Sequence, residues 1–144
     1  MDIQRLDPSD AAAHARWDAF VFGCAPATFF HRAGWQKILR NVFRHDTHYL
    51  YAQRDGRIEG VLPLAHVNSL LFGNALVSLP FAVYAGVAAS SDEAAAALEA
   101  EAQRLAQKLG VAHLELRHVQ PRHTDWPRQD LYVTFRKTIA ADPA

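Results

Sequence analysis

A single cysteine, Cys24, occurs in the 144 residues, which excludes an intramolecular disulfide and a cysteine-rich zinc site. A reducing compartment fits that scarcity. No reactive-thiol signature surrounds Cys24, which reads as a small apolar filler. A surplus of either charge is also missing, because fifteen Lys and Arg offset fifteen Asp and Glu. Without a basic excess the chain lacks the electrostatic footprint of a nucleic-acid binder. Its densest basic group, Arg32, Lys37, Arg40 and Arg44, is accounted for by the solvated side of an amphipathic helix. Nor is there a run of the ~20 apolar residues that a membrane helix needs. The longest apolar stretch, residues 75–89, is interrupted by Pro80 and Gly86. The opening Met1-Asp2-Ile3-Gln4 has neither the basic segment nor the apolar run of a signal peptide. A soluble, cytoplasmic protein with no membrane insertion is expected.

Hydrophobic residues make up 50% of the chain and charged ones 21%, the balance of a globule rather than of a disordered segment. The length fits a single domain, 1–144. Asp7-Pro8 reads as a helix start, with a capping carboxylate and proline at the first helical position. The helix would run to about residue 22 and bury Ala13, Trp17, Phe20 and Val21. A second helix over about 32–42 sets Trp35, Ile38, Leu39, Val42 and Phe43 on one stripe.

Residues 47–54 and 57–68 alternate as strands around Asp55-Gly56, a strong two-residue hairpin signal. Pro63 in the second run cannot donate to a ladder, so it marks an edge or a bulge. Gly73-Asn74 suggests a turn before a strand at 75–79. A further strand is expected over 79–88, then a long helix over 90–109. Ser90 and Glu93 would form a capping box for that helix. Leu98, Ala102, Leu105, Ala106 and Leu109 would line its core face, and Gly110 would close it. Strands at 111–117 and 131–139 complete the reading, separated by a polar loop containing two prolines.

The turn between strand and long helix, Ala89-Ser90-Ser91-Asp92-Glu93, contains no glycine and carries two carboxylates. Carboxylates suit a helix N-terminus but repel a pyrophosphate placed there, so no bound nucleotide cofactor and no tight acetyl-CoA binding are expected. His113, Glu115 and Arg117 share one face of the 111–117 strand. A His113–Glu115 pair could serve acid–base chemistry, with the carboxylate orienting the imidazole. Arg117, His118, Arg122 and His123 extend the polar character into the loop and are candidates for contact with an anionic substrate. Neither His45 with His48 nor His118 with His123 has helical zinc spacing, and no metal site is expected.

Three short motifs carry a family resemblance. They are Thr28-Phe29-Phe30-His31 with Trp35, Gly60-Val61-Leu62-Pro63-Leu64, and Leu79-Pro80-Phe81 with Tyr84-Ala85-Gly86. Together with the element order, these resemble the N-terminal part of FemAB-like proteins in the GNAT acyltransferase superfamily, closest to the type associated with exosortase (PEP-CTERM) systems. The resemblance implies an α/β fold with a GNAT-like mixed sheet, two N-terminal helices and one long central helix, incomplete as half of a two-unit transferase. It implies acyl or aminoacyl transfer to an amine of a cell-envelope or exopolysaccharide precursor, with little activity in this half alone. An acyl-CoA or aminoacyl-tRNA donor would be held in a longer form, and Tyr84 would stand beside the acceptor cleft as a third catalytic candidate. The missing second half, or a homodimer across an exposed sheet edge, is the partner implied. The alternative is a non-catalytic module that packs against a sister domain.

Overall fold

A computed structural model describes residues 1–69, 73–129 and 134–135. Its elements run β1 (Asp2–Arg5), α1 (Ala11–Gly23), a 3-10 turn (Phe29–His31), α2 (Gly34–Asn41), β2 (Asp46–Arg54), β3 (Arg57–Ser69), β4 (Gly73–Ser78), β5 (Ala88–Ala89), α3 (Asp92–Leu109) and β6 (His113–Glu115). The strands form one mixed sheet in the order β1-β2-β3-β4-β6, with β5 also paired to β3. All described pairings are antiparallel except β4 with β6. One face buries Trp17, Leu39, Tyr49 and Tyr51 beneath α1 and α2. The other buries Leu50, Leu62, Leu64 and Leu76 beneath Leu98 and Ala102 of α3.

The β2–β3 hairpin forms where the alternation placed it. Asp55 and Gly56 both have positive φ, 49° and 76°, the backbone of the turn that matches strand twist. The long helix also forms and ends at Gly110, whose φ of 63° lets its N–H reach back to Ala106 and Gln107. Its cap is Ser91, which accepts the Ala94 N–H, rather than Ser90; Glu93 turns outward to Arg54. Only His113–Glu115 of the expected 111–117 strand is paired. Of the expected strand at 131–139 only residues 134 and 135 are described, and neither is in a strand; the rest lies outside the described residues.

Other expectations are corrected. Asp10, not Asp7, caps α1 by accepting the Ala13 N–H, because the Asp7 carboxylate is taken by the backbone N–H and hydroxyl of Ser9. The stripe on α2 is rotated: Gln36 and Leu39 are buried, whereas Ile38, Val42 and Phe43 are exposed. The Gln36 amide donates to the Leu6 carbonyl, which fixes that side of the helix inward. The strand β1, paired to β2, has no counterpart in the sequence reading.

The largest correction concerns residues 79–88. Only Ala88–Ala89 is strand, and it lies on the same edge of β3 as β4. Continuing the β4 register would set Phe81 against Val61, but Ala88 stands there, seven positions further on. The intervening chain is looped out, with φ of 48° at Leu79 and 71° at Phe81. Pro63 explains where the break falls. Its carbonyl accepts the Leu79 N–H, and within a strand a residue's N–H and C=O point the same way. The donor that Pro63 lacks is therefore missing at the point where the partner strand departs.

Candidate functional site at the carboxyl ends of the parallel strands

In open α/β sheets ligands bind outside the carboxyl ends of parallel strands. Here β4 and β6 pair at Ala75↔His113, Leu76↔Leu114 and Val77↔Glu115, so the place to look is just beyond Ser78 and Glu115. The looped-out segment 79–87 crosses this position. Ala85 and Gly86 donate their N–H groups to the Arg117 carbonyl at 3.0 and 2.8 Å. In return, the Arg117 N–H donates to Ser78 Oγ and its guanidinium to the Ala82 carbonyl, at 2.8 and 2.6 Å.

The same segment is held from the α1/α2 layer. The Thr28 hydroxyl donates to the Tyr84 carbonyl at 2.7 Å, and His31 Nε2 lies 2.8 Å from the Gly86 carbonyl. His31 Nδ1 accepts the Thr28 N–H at 2.9 Å, so Nε2 carries the proton and the ring is neutral. Burial lowers its pKa, and its hydrogen bonds to Gly86 and Thr28 oppose that shift only in part.

A third set of contacts comes from α3. Glu99 is buried on the core-facing side of the helix, at 4% exposure. Its carboxylate meets Arg122 Nε at 2.9 Å and His123 Nε2 at 3.0 Å. His118 Nε2 stands 3.8 Å away, without a hydrogen-bond partner among the described residues. Burial lowers the His118 pKa, while the charge on Glu99 raises it. His123 also stacks on Trp126, with centroids 4.3 Å apart.

The residues singled out from sequence divide accordingly. His118, Arg122 and His123 gather on Glu99. Arg117 faces elsewhere, pairing with Glu115 at 2.6 Å. That pairing occupies the Glu115 carboxylate, while His113 is exposed on β6. The Tyr84 hydroxyl donates to Thr134 Oγ1 at 2.9 Å. Sequence reasoning missed Glu99 altogether. The signal was a carboxylate at a core position of α3, four residues after Ala95 and three before Ala102, which are both buried. It also missed His31 as a clasp on the crossing segment.

The start of α3 is capped by one serine and carries two carboxylates. Ser91 caps it, the Ser90 N–H donates to the Glu59 carbonyl, and Glu93 binds Arg54 at 2.6 Å. That pairing lowers the Glu93 pKa. Asp92 is exposed, with Arg122 Nη1 at 3.7 Å. No group of three or more His, Cys, Asp or Glu side chains suited to a metal ion occurs among the described residues. No helix among them is long and apolar enough to cross a membrane.

No protein-family model matches the sequence, and no curated protein does. Solved structures do match. An aminoglycoside antibiotic 6'-N-acetyltransferase from Acinetobacter haemolyticus superposes with a TM-score of 0.61 at 13% identity, over 97% of this chain and 100% of its own. A ribosomal-protein-alanine N-acetyltransferase from Brucella melitensis gives 0.55 at 16% identity, over 94% and 100%. A GNAT family acetyltransferase from Staphylococcus aureus gives 0.53 at 10% identity, over 98% and 97%. At such identities the likeness is one of fold alone. Over nearly its whole length, the chain has the fold of the GNAT acetyltransferases.

Proposed function

We propose that this chain is an N-acyltransferase module that serves the acceptor side of transfer and takes its activated acyl group from a second unit, as in FemAB-like proteins. The observation that carries the reading is the capped, acid-bearing start of α3 within an acetyltransferase fold. Ser91 satisfies the Ala94 N–H, and Asp92 and Glu93 place negative charge where an anionic donor would need free N–H groups.

In the reaction an amine attacks an activated carbonyl, a base removes the amine proton and N–H groups stabilise the oxyanion. His113, Glu115 and Tyr84 are the proton-handling candidates of this chain, and Arg117, His118, Arg122 and His123 the acceptor contacts. The acceptor class proposed is an amine of a cell-envelope or exopolysaccharide precursor, with acyl-CoA or aminoacyl-tRNA as donor to the longer assembly. A second reading, a module that only packs against a sister domain, is favoured by one observation: backbone of residues 82–86 and the Arg117 side chain fill the position beyond β4 and β6.

Two measurements separate these readings. Calorimetric titration with acetyl-CoA is expected to give no binding, and a micromolar complex overturns the donor-free reading. Chemical-shift mapping with amino sugars and short peptides is expected to perturb residues 84 and 113–123. Silence towards every amine leaves the packing module as the function.

A further inference from the structure

We propose that His123, oriented by the buried carboxylate of Glu99, is the base that takes the proton from the attacking amine. The inference rests on the N-acyltransferase reading above and adds to it a proton acceptor outside β6.

The pairing expected on β6 is not the one the fold makes. Glu115 is held by Arg117 at 2.6 Å, and His113 is exposed. A carboxylate and an imidazole meet instead between α3 and the loop after β6. Glu99 is 4% exposed, and its two oxygens are divided between two partners. Oε1 accepts Arg122 Nε at 2.9 Å, and Oε2 accepts His123 Nε2 at 3.0 Å. An ionised carboxylate only accepts, so Nε2 carries the proton and the neutral ring keeps a bare Nδ1. Among the described residues the ring makes this one hydrogen bond. Trp126 lies flat against it, with centroids 4.3 Å apart and planes 13° apart, which restricts the ring's orientation. With 34% of the His123 side chain exposed, the ring is open to a small acceptor. An imidazole held by a carboxylate at one nitrogen, with the other unpaired, is the arrangement that general-base catalysis uses.

In the step the amine nitrogen attacks the carbonyl carbon of an acyl ester or thioester, and the C–N bond forms as the amine proton passes to His123 Nδ1. The bond from that carbon to the leaving oxygen or sulfur then breaks. The departing atom takes the proton from Nδ1, and the neutral ring is restored. While the ring is positive its charge faces Glu99, whose other oxygen stays with Arg122. Further out, His118 Nε2 stands 3.8 Å from the same carboxylate, and Asp92 lies 3.7 Å from Arg122 Nη1. Glu99 touches no reacting atom in this scheme. It is a positioning residue, which selects the tautomer of His123 and holds its ring.

The test uses the full chain and has two readouts. Long-range proton–nitrogen correlation spectra, taken above the ordinary histidine range, show which ring nitrogen bears the proton. His123 is expected as the Nε2–H tautomer, and Glu99→Gln is expected to lose that preference, because an amide can donate as well as accept. The chemistry is read from N-acetylation of glucosamine by p-nitrophenyl acetate, an activated ester that needs no pyrophosphate site. His123→Gln is expected to lower kcat/KM by about a hundredfold. Glu99→Gln is expected to lower kcat by at least about tenfold, with KM for the amine unchanged. A wild-type ring bare at Nε2 overturns the proposal even if a variant fails to fold. An undiminished rate in His123→Gln, or a loss that follows His113 instead, removes the base assignment and leaves the transferase reading standing. No N-acetylation by the wild-type chain above the uncatalysed rate overturns the base assignment together with the reading it rests on.

Discussion

The imidazole of His118 lies against the backbone of Gly86 so closely that a Cβ on residue 86 would stand 2.5 Å from its Nδ1 and 2.9 Å from both Cγ and Cε1. The glycine is needed here for space. Gly86→Ala must displace the His118 ring or push the segment off Arg117, and overpacking of this kind costs about 1–3 kcal/mol. Urea denaturation of Gly86→Ala should show that loss, and His118→Ala should recover part of it in the double variant. Equal stability of Gly86→Ala and the parent chain would remove the contact from the account.

Glu99 is the point on which the loop after β6 is anchored. Its carboxylate is met by Arg122 and His123 from that loop, and replacing it by an amide removes the charge both face and one of the two acceptor oxygens. Arg122 and His123 are part-exposed, so water recovers some of the cost. Glu99→Gln is expected to lower stability by about 1–3 kcal/mol. It should also speed amide exchange in residues 117–126 more than elsewhere. If exchange there matched the parent chain, the loop would be held by something other than this carboxylate.

His48 is expected to be one source of acid sensitivity in the fold. It is buried on β2, and neither ring nitrogen has a partner among the described residues. Burial foremost, with the charges of Arg5 and His66, depresses its pKa to about 4. The unfolded chain titrates near 6.5, so the unfolded state takes up the proton first. Its contribution to stability is complete above about pH 6.5 and is lost as pH falls towards 4, amounting to at most ~3 kcal/mol. Replacing His48 by Leu should flatten the stability profile between those values, as read by chemical denaturation across that range. A slope that persists in the variant would assign acid sensitivity to another group.

The parts of the fold legible in the sequence were those whose signals are local. Asp55-Gly56 dictates its turn, and α3 carries its own stop at Gly110. The looped-out segment was not legible because residues 79–88 have the composition of a strand, and nothing in Leu79 or Phe81 announces a left-handed backbone. Pro63, sixteen residues earlier in the chain than Leu79, was the available clue, since its missing donor had to fall at a gap in pairing. The site was partly legible. The polar run 117–123 was visible, but its focus was hidden because a glutamate in a helix is ordinarily read as solvated. The β1 strand escaped for a different reason: its four residues gain their structure from pairing with β2, far away in the chain.

The two serines before α3 offer a direct check on how its start is capped. Both stand beside the helix start, and either could cap it by sequence alone. Ser91 has extended backbone geometry and accepts the Ala94 N–H at 3.2 Å, whereas the Ser90 hydroxyl only donates to the exposed Glu59 carbonyl at 3.1 Å. Loss of a capping side chain costs ~1 kcal/mol, while a solvent-exposed hydroxyl–carbonyl bond exchanges for water at little cost. Ser91→Ala is therefore expected to destabilise the chain by about 1 kcal/mol, and Ser90→Ala by less than about half of that. Thermal and urea denaturation of the two variants will rank them. The reverse order would place the cap one residue earlier, free the Ala94 N–H, and make the α3 start a place for an anionic donor.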